Sequence, residues 1–439
     1  MLEMRKMKDS GIEWIGEIPE GWEVIPIKYL ARYNYDTLTE SCSPDFEFNY
    51  IDIGSVTYGK GITTFQKFKF KDSPSRARRV VTPGDILIST VRTYLRAIAC
   101  VNKSSIPQIA STGFLVLQAD SSKLPPQFLM YAVLADSFIC NVEAHSVGIS
   151  YPAINASQIV HFKIPLPPST EQIPLINYLD NHCSKIDVLL SKIHSSIEEY
   201  KKLKQAVITQ AVTKGVRGER EMKDSEVEWI GEIPKEWDIL NLVAHTSMLT
   251  PMRDRPENLD GPIPWIRIED FDGKYISSSK ASLGVSKETV RSMNLKIYPV
   301  GTILCTSSCI MGKCAIVSRE LVSNQRFIGI IPDQNTCENF LYYLMLSNSE
   351  RMNYLATGAL QANLSRSSFE HLKVQFPSYQ EQKEISDYLD TKCAEIDKLI
   401  AKKEQLVKEL ESYKKSLIYE VVTGKREIFT DITRKFPNI

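Results

Sequence analysis

Lys8-Asp-Ser-Gly-Ile-Glu-Trp-Ile-Gly-Glu-Ile-Pro-Glu-Gly-Trp22 returns, 215 residues on, as Lys223-Asp-Ser-Glu-Val-Glu-Trp-Ile-Gly-Glu-Ile-Pro-Lys-Glu-Trp237. A match of this length inside one chain marks an internal duplication, and a duplication sets the architecture before any local element is considered. A second matched pair lies downstream. Glu171-Gln172, Tyr178-Leu179-Asp180, Cys183 and Ile186-Asp187 recur 210 residues later as Glu381-Gln382, Tyr388-Leu389-Asp390, Cys393 and Ile396-Asp397. Between these flanks lie two interiors of about 140 residues, Val24 to Pro165 and Ile239 to Phe376, which are of ordinary domain size and share little sequence. Uniform drift after duplication would blur frame and contents alike. Here the frame is kept while the contents differ, so the interiors are expected to be the variable, reading parts of the molecule.

The repeated downstream flank has the spacing of a long helix. Apolar residues fall at Leu179, Cys183, Ile186, Leu190, Ile193, Ile197, Tyr200, Leu203 and Val207, mostly in alternating steps of four and three, the heptad pattern of a helix that packs on another helix. The second copy places Leu389, Cys393, Ile396, Ile400, Val407, Leu410, Tyr413 and Leu417 on the same seam, interrupted by Lys403. Thr170, Glu171 and Gln172 supply a start, and Lys214-Gly215 and Thr423-Gly424-Lys425 supply stops. From Leu179 to Thr213 such a helix runs about 50 Å. An apolar stripe cannot stay in water unpaired, and each helix has an equivalent partner in the same chain, so the two are expected to pair. The helix-pairing residues are Leu179, Ile186, Leu190, Ile193 and Ile197 with Leu389, Ile396, Ile400, Val407 and Leu410.

The interiors read as strands. Tyr50 to Val56, Gly84 to Arg92, Ala97 to Val101 and Gly113 to Leu117 are short β-branched runs bounded by Gly, Pro, Asp and Asn. Pro264 to Ile268, Val300 to Cys305, Cys314 to Val317 and Phe327 to Ile331 follow in a comparable order, and each set precedes a helix, near Gln127 to Phe138 and Glu338 to Leu346. The expected fold is α+β: two tandem α/β domains separated by two long helices packed as an antiparallel coiled coil, with pseudo-two-fold symmetry. The boundaries are 1–167 for the first domain, opened by the repeat segment 8–23, and 168–222 for the first long helix and linker. The second domain, 223–376, opens with the repeat segment 223–238, and 377–439 holds the second helix and tail.

The chain is neutral overall, with 53 basic and 53 acidic residues, so no global positive field advertises a nucleic-acid partner. A local one exists. Between Gly59 and Lys103 ten Lys and Arg residues face only Asp72 and Asp85. Phosphates need such clusters, and a guanidinium fork reads guanine edges bidentately. The first-domain candidates for DNA contact are Tyr58, Lys60, Arg76, Arg78, Arg79, Arg92, Thr93, Tyr94 and Arg96, joined by Ser150 and Tyr151 of the polar loop Gly148 to Asn155. In the second domain they are Arg253, Arg255, Arg267, Lys313, Gln325 and Arg326, with Gln361, Asn363 and Arg366 at the counterpart loop Gly358 to Ser365. Loss of Arg79 or Lys60 is expected to lower the salt dependence of binding.

Catalytic motifs are only mimicked. Gly54 to Gly61 resembles a phosphate loop, but Gly61 stands where the magnesium-ligating hydroxyl is needed. Glu381-Gln-Lys383 resembles a nuclease Glu-x-Lys, yet it opens a helix without an acidic partner strand and reads as capping chemistry. The Asn-Pro-Pro-aromatic motif of amino-methyltransferases and a glycine-rich cofactor turn are both missing, and the six histidines form no zinc-binding pair. Nine scattered cysteines, with only Cys305, Cys309 and Cys314 clustered, suit reduced, buried thiols rather than disulfides or metal. With no apolar run of about 20 residues and no export signal at the first residues, a cytoplasmic address without membrane contact is expected.

Taken together, the duplicated Trp14 to Pro19 and Trp229 to Pro234, Pro165-Leu-Pro-Pro-Ser-Thr-Glu-Gln172 leading to Tyr178-Leu-Asp180, Ala211-Val-Thr213, Val421-Val-Thr-Gly424 and Gly84 to Arg92 give the whole chain a layout that resembles the specificity subunit of type I restriction-modification systems. The resemblance implies two target-recognition domains, each binding one half of an asymmetric bipartite site in double-stranded DNA, with the helices as a ruler for the unread spacer. It implies two methyltransferase (modification) subunits and restriction/translocase subunits as partners, which would carry S-adenosylmethionine, ATP and Mg. This chain itself would hold no cofactor or metal and catalyse nothing. The competing expectations are a duplicated coiled-coil scaffold without sequence-specific reading, and a stand-alone methyltransferase or nuclease.

Overall fold

A computed structural model describes residues 5–252, 254–308, 312–356 and 364–428. The two apolar seams lie in helices Ser169–Lys214 and Tyr379–Val422, of 46 and 44 residues. At 1.5 Å per residue they run about 69 and 66 Å, longer than expected because each begins about ten residues before its seam. Both stop at a glycine in the left-handed region, Gly215 at φ +74° and Gly424 at φ +70°, the conformation that satisfies the last helical carbonyls without a Cβ clash.

The chain divides into two compact units, residues 1–193 with 405–439 and residues 194–404, so each unit takes half of each helix. Within the first, Leu175, Leu179, Cys183 and Ile186 share a core with Leu417, Ile418 and Val421. There Lys414 Nζ donates to both oxygens of Asp187 at 2.6 and 2.7 Å, and Arg426 lies over the Tyr178 ring. Within the second, Ile208, Ala211 and Val212 share a core with Ile385, Leu389 and Cys393. Lys204 Nζ reaches both oxygens of Asp397 at 2.8 and 2.7 Å, and Arg217 pairs with Glu384. In both units early residues of one helix meet late residues of the other, so the halves run antiparallel.

Of the predicted pairing residues, Leu179, Ile186, Ile197, Leu389, Ile396 and Val407 are buried and Leu190, Ile193, Ile400 and Leu410 half-buried. Leu203 and Tyr413 depart from the seam, being 48% and 46% exposed. Their neighbours Lys204 and Lys414 make the ion pairs with Asp397 and Asp187 instead. An α-helix of 3.6 residues per turn drifts about 20° per heptad against a 3.5 repeat, and both copies leave the seam at the same place.

Each interior is layered. In the first unit the central antiparallel sheet orders Ile98–Cys100, Ile86–Ser89, Phe114–Ala119 and Ala31–Tyr33. Because side chains alternate along a strand, Ile86, Ile88, Leu115 and Leu117 face the core with helices Pro126–Leu134 and Asp136–Ala144. Leu87, Ala99, Phe114 and Val116 pack with Ile51, Val81 and Ala110 of a second sheet. That sheet orders Gln66–Lys69, Glu47–Ile51, Gln108–Ser111 and Ala77–Val81, its middle pair parallel. The second unit repeats the plan with Thr246–Leu249, Phe327–Pro332, Ile303–Thr306, Cys314–Val317 and Tyr275–Ile276, beside Gly284–Val285, Ile263–Ile266 and Val322–Ser323, whose last pair is again parallel. Strands covered on both faces read as continuous apolar runs, which is why these runs were conspicuous in sequence.

The duplicated flanks meet each other. In the first unit Trp22, fully buried, donates through Nε1 to Glu171 Oε2 at 3.0 Å, and Arg5 Nη2 lies 2.9 and 2.6 Å from the two oxygens of Glu171. In the second, Trp237 Nε1 donates to Glu381 Oε2 at 3.0 Å and Arg220 Nη1 to Oε1 at 2.6 Å. The capping role expected for Glu381 from sequence is therefore corrected: its carboxylate is buried, 1% exposed, and ties the repeat segment to its helix. Gln172 and Gln382 each bond two backbone carbonyls of the preceding loops through Nε2.

Candidate nucleic-acid interface

At one end of the first unit's central sheet three loops are bonded together. Thr90 donates to the Gly113 carbonyl through N at 2.8 Å and Oγ1 at 2.9 Å, and Ile154 N donates to the Thr90 carbonyl at 2.9 Å. Arg92, at φ +52°, donates its N–H to Pro152 O at 2.7 Å, and Val147 and Ala153 exchange both backbone bonds at 2.9 and 3.0 Å. The Thr93 and Ser146 hydroxyls bond at 2.9 Å. The adjoining turn is held by Thr112 N donating to Arg76 O. Arg76, Arg92, Tyr94, Ser150 and Tyr151 thus stand exposed on one loop surface, with the Arg92 guanidinium 5.0 Å from the centre of the Tyr151 ring.

The second unit builds the same end with different side chains. Ser307 N donates to Arg326 O at 2.8 Å where the first unit uses Thr90 and Gly113, and Leu364 N donates to Ser307 O at 2.9 Å where the first uses Ile154 and Thr90. Lys313, Gln325 and Arg326 are exposed there, Lys313 being joined to Thr306 through its carbonyl. Arg366 opens the helix Arg366–Glu370 just beyond and pairs with Glu370. Arg253, Gln361 and Asn363 lie outside the described residues. Arg255 is exposed. Arg267 is half-buried, its Nε without a hydrogen-bond partner.

Several of the other predicted contact residues are paired or buried within the fold. The Arg96 guanidinium bonds Glu143 at 2.8 and 3.0 Å and Asp136 at 2.7 Å, and the hydrogen bonds to Glu143 raise its pKa further. Arg78 pairs with Glu40 at 2.9 Å and lies over Phe70, and Thr93 is buried. Tyr58 is half-buried between Arg96 and Lys415, and burial raises its pKa. Arg79 is half-buried, its pKa lowered by burial, with Nε unpartnered. Lys60 sits exposed in the turn of a short hairpin, Val56–Thr57 with Gly61–Ile62, so the phosphate-loop look-alike opens no helix whose N-terminus could hold a phosphate. Sequence reasoning missed Val147 and Ile149, exposed on either side of Gly148. Their signal was a pair of β-branched residues bracketing a glycine in a polar loop.

Cys305 and Cys314 are register partners on adjacent strands, both buried, with sulfurs 2.8 Å apart, and burial pushes the Cys305 thiol well up. Among the described residues no helix is long and apolar enough to cross a membrane.

Residues 19–199 and 238–409 match the family model of the type I restriction modification DNA specificity domain, one match in each half and together most of the chain. The chain belongs to this family. Membership makes it the sequence-recognising, non-catalytic component of a type I restriction-modification enzyme, with two tandem specificity domains, and sets aside the bare scaffold. Among relatives, the Methanocaldococcus jannaschii chain named as the MjaX type I restriction enzyme specificity subunit is 26% identical over 98% of this chain and 99% of its own. The MjaVIII specificity subunit of the same organism is 24% identical over 93% of each chain. A solved chain from work on assembly and conformational transition of the type I R-M system, 18% identical, superposes with a TM-score of 0.73 over 92% of this chain and 98% of its own, which shows the shared fold.

Proposed function

We infer that each specificity domain reads one half of an asymmetric, bipartite site in double-stranded DNA through the loops at the end of its central sheet, and that the helices set the spacing between halves. The observation that supports this most is the pairing of a conserved backbone plan with different side chains: Thr90 and Gly113 in one unit, Ser307 and Arg326 in the other, make the same bond. One scaffold thereby presents two different sets of exposed groups. Arg76 and Arg92, and Lys313 and Arg326, supply phosphate or guanine contacts. The partners in this reading are two methyltransferase subunits and the restriction/translocase subunits, which hold S-adenosylmethionine, ATP and Mg, in the cytoplasm. The test is competition binding by the purified chain with its methyltransferase subunits against a pool of random duplexes. Enrichment of a two-part motif with an unread spacer is the expected result; enrichment of one contiguous motif refutes the division of labour.

A further inference from the structure

The loop tip of the first domain presents apolar atoms to solvent. Ile149 is fully exposed, Val147 is 81% and Tyr151 66% exposed. The tip is a built feature: the paired Val147 and Ala153 close it, and Gly148 turns it at φ +121°, where a Cβ would meet Tyr151 O at 3.1 Å. Three exposed apolar side chains within five residues of one closed loop, rather than a single scattered one, make this tip a candidate contact surface. What covers them has to be apolar at one point and anionic around it, because Arg92 stands against Tyr151 and exposed Arg76 holds the adjoining turn. In the major groove the C5 methyl of thymine is the apolar feature of the base edges, and phosphates flank it on both sides.

We propose that Ile149, with Val147 beside it, packs on a thymine methyl within the half-site read by the first domain, making Ile149 a specificity-determining residue, while Arg92 contacts the neighbouring base edge or phosphate. This rests on the DNA-reading function above and goes beyond it in naming a base and the residue that senses it. Ile149 makes no use of its side chain in the fold, so Ile149→Ala leaves the domain folded.

The test binds the complex with its methyltransferase subunits to duplexes in which each thymine of the first half-site is replaced in turn by deoxyuridine, which deletes the methyl alone. Burial of one methyl-sized group corresponds to a roughly three- to five-fold change in affinity. One thymine is expected at which deoxyuridine weakens wild-type binding by about that factor, and the Ile149→Ala complex should no longer distinguish the two duplexes there. Selective binding that is indifferent to every deoxyuridine overturns the inference and leaves the DNA-reading function standing. A deoxyuridine penalty that persists undiminished in Ile149→Ala also overturns it, because the methyl is then sensed by another group. Absence of any sequence preference overturns the DNA-reading function, and the inference with it.

Discussion

Glu381→Gln keeps the size of the side chain and removes its charge from a place where water cannot compensate. The carboxylate is 1% exposed, 2.6 Å from Arg220 and 3.0 Å from Trp237, and Arg220 is itself 13% exposed. A hydrogen bond to a charged group contributes about 1.5–3 kcal/mol, and breaking a buried ion pair costs about 3–5 kcal/mol because the partner is left uncompensated. Arg220 keeps Glu236 at 2.9 Å and the Lys214 carbonyl at 2.9 Å, which places the expected cost near the lower values, about 2–3 kcal/mol. The first unit supplies an internal control. Glu171 makes the same bonds to Arg5 and Trp22, but its side chain is 20% exposed and that of Arg5 22%, so water replaces part of what Glu171→Gln removes and the cost falls to about 1 kcal/mol. Urea unfolding gives the total change, and hydrogen exchange of peptides containing Trp22 or Trp237 assigns it to one unit. Equal losses for the two substitutions, or a Glu381→Gln loss below about 0.5 kcal/mol, would refute burial as the source of the difference.

Gly424→Ala is expected to cost at least about 2 kcal/mol in thermal unfolding, since its left-handed φ is strained for alanine and its Cβ would lie 2.5 Å from the Pro19 ring. Gly231→Ala, at φ +72° with open space around it, carries the conformational strain alone, about 1 kcal/mol. In salt titrations of DNA binding, Arg76→Ala and Arg92→Ala should each reduce the log–log slope by about one. Arg96→Ala should leave the slope unchanged, because its guanidinium serves Glu143 and Asp136. With a maleimide at pH 8, peptide mapping should find exposed Cys140 labelled first among the described cysteines, and buried Cys305, whose thiol is held protonated by burial, labelled only on unfolding.

The frame of this molecule was legible in the sequence because its constraints are periodic or repeated. Trp22 and Trp237, Glu171 and Glu381, and Asp187 and Asp397 recur because each makes the same contact in its own unit, and contacts of that kind tolerate little substitution. The doubly covered strands announced themselves as apolar runs such as Ile86–Ser89 and Ile303–Thr306. The interface was less legible because charge is neutralised across long sequence separations. The stretch from Gly59 to Lys103 holds only two acids of its own, yet Glu40 reaches Arg78, Asp45 reaches Lys69 and Lys71, and Asp136 and Glu143 reach Arg96. A one-dimensional count of cations could not separate Arg92, which stays on the loop surface, from Arg96 four residues later. Leu203 and Tyr413 were misplaced for a geometric reason, the slip between 3.6 and 3.5 residues per turn.

In the proposed function the two interiors read separate halves of one site. The direct measurement is the methylome of cells carrying this chain with its cognate methyltransferase subunit, before and after Ile239 to Phe376 is exchanged for the interior of another specificity subunit. The cut points fall in the strand pair Asp238–Asn241 and Lys373–Phe376, so a donor that supplies both strands preserves the junction. The expected result is a bipartite motif of which one half changes while the other half is retained. A motif that changes in both halves at once, or methylation that follows no split motif, would contradict it.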